Sequence, residues 1–138
     1  MRRVLVFGSR GFSGVQLVWD VMRSHLCEAD VVTHGACPHG VNGDGSQRFS
    51  PDEGAQDIAD AWGYETDPHP ANVDKHGSPA AFHIRNREMA ATLDPARDIA
   101  CGFWDGVSRG TLNMSQELTK RGIRHRLYVV PTPAKVSK

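Results

Sequence analysis

Hydrophobic positions in this chain come in short runs, and the runs alternate between two periodicities. Val4-Leu5-Val6-Phe7 is unbroken and stops at Gly8-Ser9. A run without apolar/polar alternation reads as a strand buried on both faces, as in parallel sheets. Val15, Val18, Trp19, Met22 and Leu26 then recur at helical spacing, which predicts a helix over 15–26. Val31-Val32-Thr33-His34 is a second short strand, closed by Gly35. The stretch 39–54 is rich in Gly, Asn, Asp and Ser and reads as a long surface loop. Pro51-Asp52-Glu53 opens a helix through Ile58, Ala59 and Trp62. Residues 64–69 form a third strand, which Pro68 and Pro70 confine to a short or edge position. A helix over 80–93 is stopped by Asp94-Pro95. Residues 99–104 are a fourth apolar run, 111–120 a helix with Gly122 at the C-cap position, and 125–130 the last strand.

Strand and helix therefore alternate about five times. That order predicts an α/β fold, a Rossmann-like three-layer sandwich with a mainly parallel sheet of about five strands. One domain over 1–130 is expected, with an inserted loop at 39–53 and a C-terminal tail over 131–138. In open sheets of this type ligands sit beyond the carboxyl ends of the strands, so the residues that follow each strand are the candidates for function.

Three strand ends carry suggestive chemistry. After the first come Gly8-Ser9-Arg10-Gly11 and then Gly14. Glycines let backbone N–H groups approach a phosphate, the following helix presents its positive end, and Arg10 adds a cation. An ordinary tight turn explains the same residues. The spacing G-x-x-G-x-x-G is not the dinucleotide fingerprint, and no acidic residue closes the second strand, so an NAD-type site is disfavoured. After the second strand, His34-Gly35-Ala36 allows close approach of a ligand to the backbone. His34 reads as a hydrogen-bonded strand end, and Cys37 as a small buried side chain rather than a nucleophile. After the fourth, Asp105, Gly106, Ser108, Arg109, Gly110 and Thr111 form a small flexible loop that runs into a helix N-terminus. This is a second anion site, a plain N-cap, or both. Arg85, beside Asn86, shares a helix face with Met89. It is either part of a solvated basic surface or a cation aimed at the ligand.

Charge and cysteine content narrow the classes. Sixteen Lys and Arg balance sixteen Asp and Glu, so no extended nucleic-acid contact is expected, since that binding needs many cations. Three cysteines without a C-x-x-C pair give neither a disulfide framework nor a zinc site. His69, His76 and His83 recur every seven residues, but Pro70 and Pro79 break any single helix through them. No metal and no cofactor are expected. The first apolar run is too short for a leader or a membrane span, which leaves a soluble, cytoplasmic setting.

These segments, in this order, resemble the YspA, or cpYpsA-related, branch of the SLOG superfamily. The likeness is carried by Val4-Leu5-Val6-Phe7-Gly8-Ser9-Arg10, by His34-Gly35-Ala36-Cys37-Pro38, and by Gly54-Ala55 leading to Ala59-Asp60-Ala61-Trp62. It continues through Ile84-Arg85-Asn86-Arg87-Glu88-Met89, Phe103-Trp104-Asp105-Gly106 and Ser108-Arg109-Gly110-Thr111. The resemblance implies a Rossmann-like protein of bacteria or their phages that binds a nucleotide or nucleotide-derived signal, as a sensor or sequestering protein. It also implies a homodimer or higher homo-oligomer, with the helices around Trp19 and Met89 as candidate contacts. The superfamily includes the Lonely-guy phosphoribohydrolases, which cleave a nucleoside monophosphate at its N-glycosidic bond. Arg85 and Met89 match part of their pattern, and Gly106 with Gly110-Thr111 resembles the rest. Their glutamate position is Met114 here. Glu117, one turn on, is the remaining carboxylate for a catalytic pair with Arg85 in that alternative.

Overall fold

The structure, a computed structural model, describes residues 1–132. Residues 133–138 of the expected tail lie outside the described residues. The main elements are β1 (Arg3–Gly8), α1 (Val15–His25), β2 (Val31–His34), β3 (Gly40–Val41), β4 (Gln47–Arg48), α2 (Pro51–Trp62) and β5 (Glu65–Pro68). They continue with α3 (Val73–His76), α4 (Ala80–Ala91), β6 (Ile99–Trp104), α5 (Arg109–Lys120) and β7 (Arg124–Val129).

Five strands form one sheet in the order β5-β2-β1-β6-β7, and every neighbouring pair is parallel. The fold is the α/β, Rossmann-like parallel sheet that the strand–helix alternation implies. The chain lays β1, β2 and β5 outward to one edge. It then returns through α4 to place β6 on the other side of β1. The carboxyl ends of β1 and β6 thus flank the point where the order reverses, which is where open sheets of this kind leave a crevice.

Alternation along each buried strand sends side chains to two cores. On one face Val6, Val32, Cys101 and Phe103 meet Val18 and Met22 of α1 and Ile58 and Ala59 of α2. On the other, Leu5, Phe7 and Ala100 meet Met89 of α4 and Met114 and Leu118 of α5. Burial pushes the Cys101 thiol up to about 11, so this cysteine is inert core. Met89 of α4 is 1% exposed and belongs to the second core. Trp19 packs edge-on against Trp62 of the neighbouring helix, with centroids 5.6 Å apart.

Several boundaries shift for local reasons. Helix α5 begins at Arg109, two residues early, because the Ser108 hydroxyl caps it by accepting the Thr111 N–H. Gly122, at φ 68°, closes it as expected. The short α3 was not anticipated; Asn72 caps it by accepting from the Lys75 N–H.

The larger correction concerns 39–54. In place of a long structureless loop the structure has the two-stranded hairpin β3–β4, followed directly by α2. The Asn42 N–H donates to the Ser46 carbonyl (2.8 Å) and the Gly45 N–H to the Asn42 carbonyl (3.0 Å). Asp44 accepts from both the N–H and the hydroxyl of Ser46. The Gly and Asp content that suggested disorder is turn chemistry.

Candidate functional site

A cleft of about 360 Å³ opens at the carboxyl ends of β1 and β6. A volume of this size falls in the range of small-molecule sites. Its apolar floor is Phe7, Phe82, Met89 and Met114, and its polar walls include Arg10, Asp52, Arg85, Asn86, Ser108 and Thr111. The floor can seat a flat apolar group, and the two arginines and a helix end can hold an anion.

That helix end is the first turn of α5. Ser108 takes the Thr111 N–H, while the N–H groups of Arg109 and Gly110 are those a helix leaves without an intrahelical partner. The loop before it is built by Asp105, whose carboxylate accepts from the N–H groups of Val107 (2.9 Å) and Ser108 (2.8 Å). Gly106 supplies the positive φ, 88°, that the turn needs. Asn86 ties α4 to this end: its amide donates to the Gly110 carbonyl (3.2 Å) and to Asn113 (3.1 Å).

The loop after β1 serves the site differently from the sequence expectation. Its N–H groups are largely committed within the protein. That of Ser9 donates to the Phe103 carbonyl, that of Gly11 to the Phe49 carbonyl beside the hairpin, and that of Phe12 back to Ser9. Ser9 itself is buried, its hydroxyl bonded to Thr111 (3.1 Å) and accepting the Asp105 N–H (3.1 Å). It therefore staples the β1 loop to the β6 loop. Gly8 is a packing glycine: a Cβ there would lie 2.6 Å from Pro51 and 2.7 Å from the Phe103 carbonyl oxygen. What this loop offers the cleft is the Arg10 side chain and the bare Cα of Gly8.

Arg85 and Asp52 meet across Gly35. The guanidinium donates Nη1–H to the Gly35 carbonyl (2.5 Å) and Nε–H to Asn86 (3.1 Å), and lies 5.7 Å above the Phe82 ring. Asp52, from the first turn of α2, is 5% exposed and accepts the Cys37 N–H at 3.2 Å. Burial pushes its carboxyl above the usual carboxylate range, against the pull of Arg85, the Cys37 N–H, His34 and Arg10. Burial also lowers the Arg85 guanidinium from its usual value, with Asp52 opposing.

A Cβ at Gly35 would fall 2.5 Å from Arg85 Nη1 and 2.9 Å from Asp52 Oδ2. Gly35→Ala is therefore expected to push Arg85 off its carbonyl and to cost about 1–3 kcal/mol of stability, as overpacking does. Urea unfolding of the variant measures it.

Of the residues singled out in the sequence, Gly8, Arg10, Arg85, Asn86, Ser108, Gly110 and Thr111 come together on the cleft. Ser9, His34, Gly35, Ala36, Asp105, Gly106 and Arg109 lie behind or beside it. His34 is a buried hydrogen-bonded strand end: Nδ1 accepts the Ala36 N–H, so Nε2–H donates to Gln56 (2.7 Å). Glu117 does not line the cleft and pairs with Lys120 at 3.5 Å. Cys37, expected to be buried, is half-exposed at the cleft wall. Asp52 is the main residue that sequence reasoning missed. Its only local signal was a carboxylate in a helix first turn, which ordinarily means dipole complementation.

No family model matches the chain. It is similar to the Gene 61 protein of Mycobacterium phage D29, at 33% identity over 135 residues that cover 89% of this chain and 93% of the relative. At that identity and coverage, the chain belongs to the family of that phage protein.

Proposed function

We propose that the protein binds a nucleotide, or a molecule derived from one, in the cleft between β1 and β6. The observation that carries this reading is convergence. Arg10 from the β1 loop, Arg85 from α4 and the first turn of α5 reach one cleft whose floor is apolar. An anion set on the helix end and the guanidinium groups is held by charge-assisted bonds. The adjoining group rests on Phe7, Phe82, Met89 and Met114. The resemblance to the YspA branch of the SLOG superfamily adds weight, because that family is associated with nucleotide-derived ligands.

The cleavage alternative has less behind it. Met114 fills the position where the Lonely-guy pattern has its glutamate, and Glu117 is engaged with Lys120 outside the cleft. The protein thus reads as a sensor or a sequestering protein.

The test is thermal unfolding against a panel of nucleoside mono-, di- and cyclic phosphates. A ligand at one hundred times its dissociation constant is expected to add about 2.7 kcal/mol. For a chain of this size that is a rise of about 10 °C in Tm. No shift across the panel refutes the reading. Release of free base and ribose 5-phosphate from a nucleoside monophosphate, lost in Arg85→Ala, would replace binding by hydrolysis.

A further inference from the structure

We propose that Asp52 reads the ribose of the bound ligand, so that the cleft selects ribonucleoside phosphates over their 2′-deoxy counterparts. This rests on the nucleotide-binding reading and goes beyond it by assigning the second polar end of the cleft.

Asp52 is a largely buried carboxyl with a single hydrogen-bond donor from the protein. Asp52 is 5% exposed and lines the cleft. Its Oδ2 accepts one bond, from the Cys37 N–H at 3.2 Å. Among the described residues no protein group donates to Oδ1, and no cation lies within ion-pair distance of either oxygen. A carboxyl with one bonded oxygen keeps free hydrogen-bonding capacity, and a polar group taken out of water is costly to leave unpaired. Arg85 is the nearest cation in character, but its Nη1 and Nε are committed to the Gly35 carbonyl and to Asn86. Among the described residues no group of three His, Cys, Asp or Glu is placed to share a metal with Asp52. An occupant of the cleft can supply the donors that Oδ1 lacks, because Asp52 lines it.

That occupant must carry an anion for α5 and the arginines, and hydrogen-bond donors for Asp52. Two adjacent hydroxyls match a carboxylate, because each O–H meets one acceptor oxygen. A ribose between a phosphate and a base supplies such a pair, whereas a 2′-deoxyribose supplies one hydroxyl only. A purely structural Asp52, holding the turn through Cys37, would leave the two sugars indistinguishable.

The experiment is calorimetric titration of the full chain with AMP, GMP, CMP and UMP and with their 2′-deoxy forms, repeated on Asp52→Asn. Asparagine keeps the shape and can still accept from Cys37. The expected result is a preference of tenfold or more for the ribo form in the native protein, falling to threefold or less in Asp52→Asn. Equal affinity of ribo and deoxy forms in the native protein overturns this proposal and leaves nucleotide binding standing. So does a preference that survives Asp52→Asn. Binding of none of the eight overturns the proposal, and with it nucleotide monophosphate binding at this cleft. Should Asp52→Asn fail to fold, the native ribo-to-deoxy ratio decides alone.

Discussion

Phe103→Ala is expected to remove about 3–5 kcal/mol of stability, the range for truncating a buried aromatic in a close-packed core. Phe103 is fully buried in β6 beside the central strand. Its ring meets Phe12 edge-on at 5.6 Å and stacks on Tyr128 at 5.5 Å. Phe12 follows the β1 loop and Tyr128 lies on β7, so one side chain joins the loop, the sheet and its edge strand. The cavity left by alanine would face rigid sheet on one side and helix on the other, which limits collapse. For a domain of this size the loss corresponds to a fall in Tm of about 10 °C or more. Circular dichroism during thermal and urea unfolding would measure it. Phe103→Leu, which keeps most of the volume, should cost well under half as much. Equal losses for the two variants would mean that the aromatic contacts, not the volume, carry the effect.

On the proposal that the cleft binds a nucleoside monophosphate, Arg85→Ala should weaken that affinity about thirtyfold or more. That is the lower end, about 2 kcal/mol, of the cost of truncating one member of a buried charge pair across an interface. Two terms add. The phosphate loses a preorganised cation, fixed by Gly35, Asn86 and the face of Phe82. Asp52 also loses the positive charge that most opposes its burial. Arg85→Lys should rescue little, because an ammonium lacks the planar fork that donates to Gly35 and Asn86 together. Titration of the two variants with one nucleotide, alongside far-ultraviolet circular dichroism to confirm folding, gives the comparison. Unchanged affinity in a folded Arg85→Ala would place the anion elsewhere, on Arg10 and α5 alone.

The two variants differ in how visible their residues were. Phe103 stands in an unbroken apolar run, and such a run encodes a doubly buried strand wherever it occurs. Arg85 was visible as a cation sharing a helix face with Met89, which spacing alone left as either a solvated surface or a ligand contact and which the resemblance assigned to the ligand. In the fold it lines the cleft, and its neighbour Asn86 bonds across to Gly110 and Asn113 of α5. Asp52 was read as the first turn of a helix and nothing more. Its place in the cleft follows from the turn at Ala36, which has a positive φ of 57°, and from the Cys37 N–H that it accepts.

The glycine loop after β1 shows the same division in one segment. Its sequence is compatible with a phosphate cradle, and its glycines do permit close approach. They are used for the approach of Pro51 to Gly8 and of the hairpin to Gly11. Phe49, directly after the hairpin that was expected as a loose insertion, takes up the Gly11 N–H.

By itself the sequence determined the alternation of the five sheet strands with their main helices, and with it the parallel sheet. Those follow from local periodicity and from the short connections that a βαβ chain permits. The tertiary structure alone decided which donors remain free, which arginine turns inward and which carboxylate is buried beside it. Hydrogen-bond partners far apart in the chain compete for the same N–H groups. The winner depends on packing distances that no local pattern records.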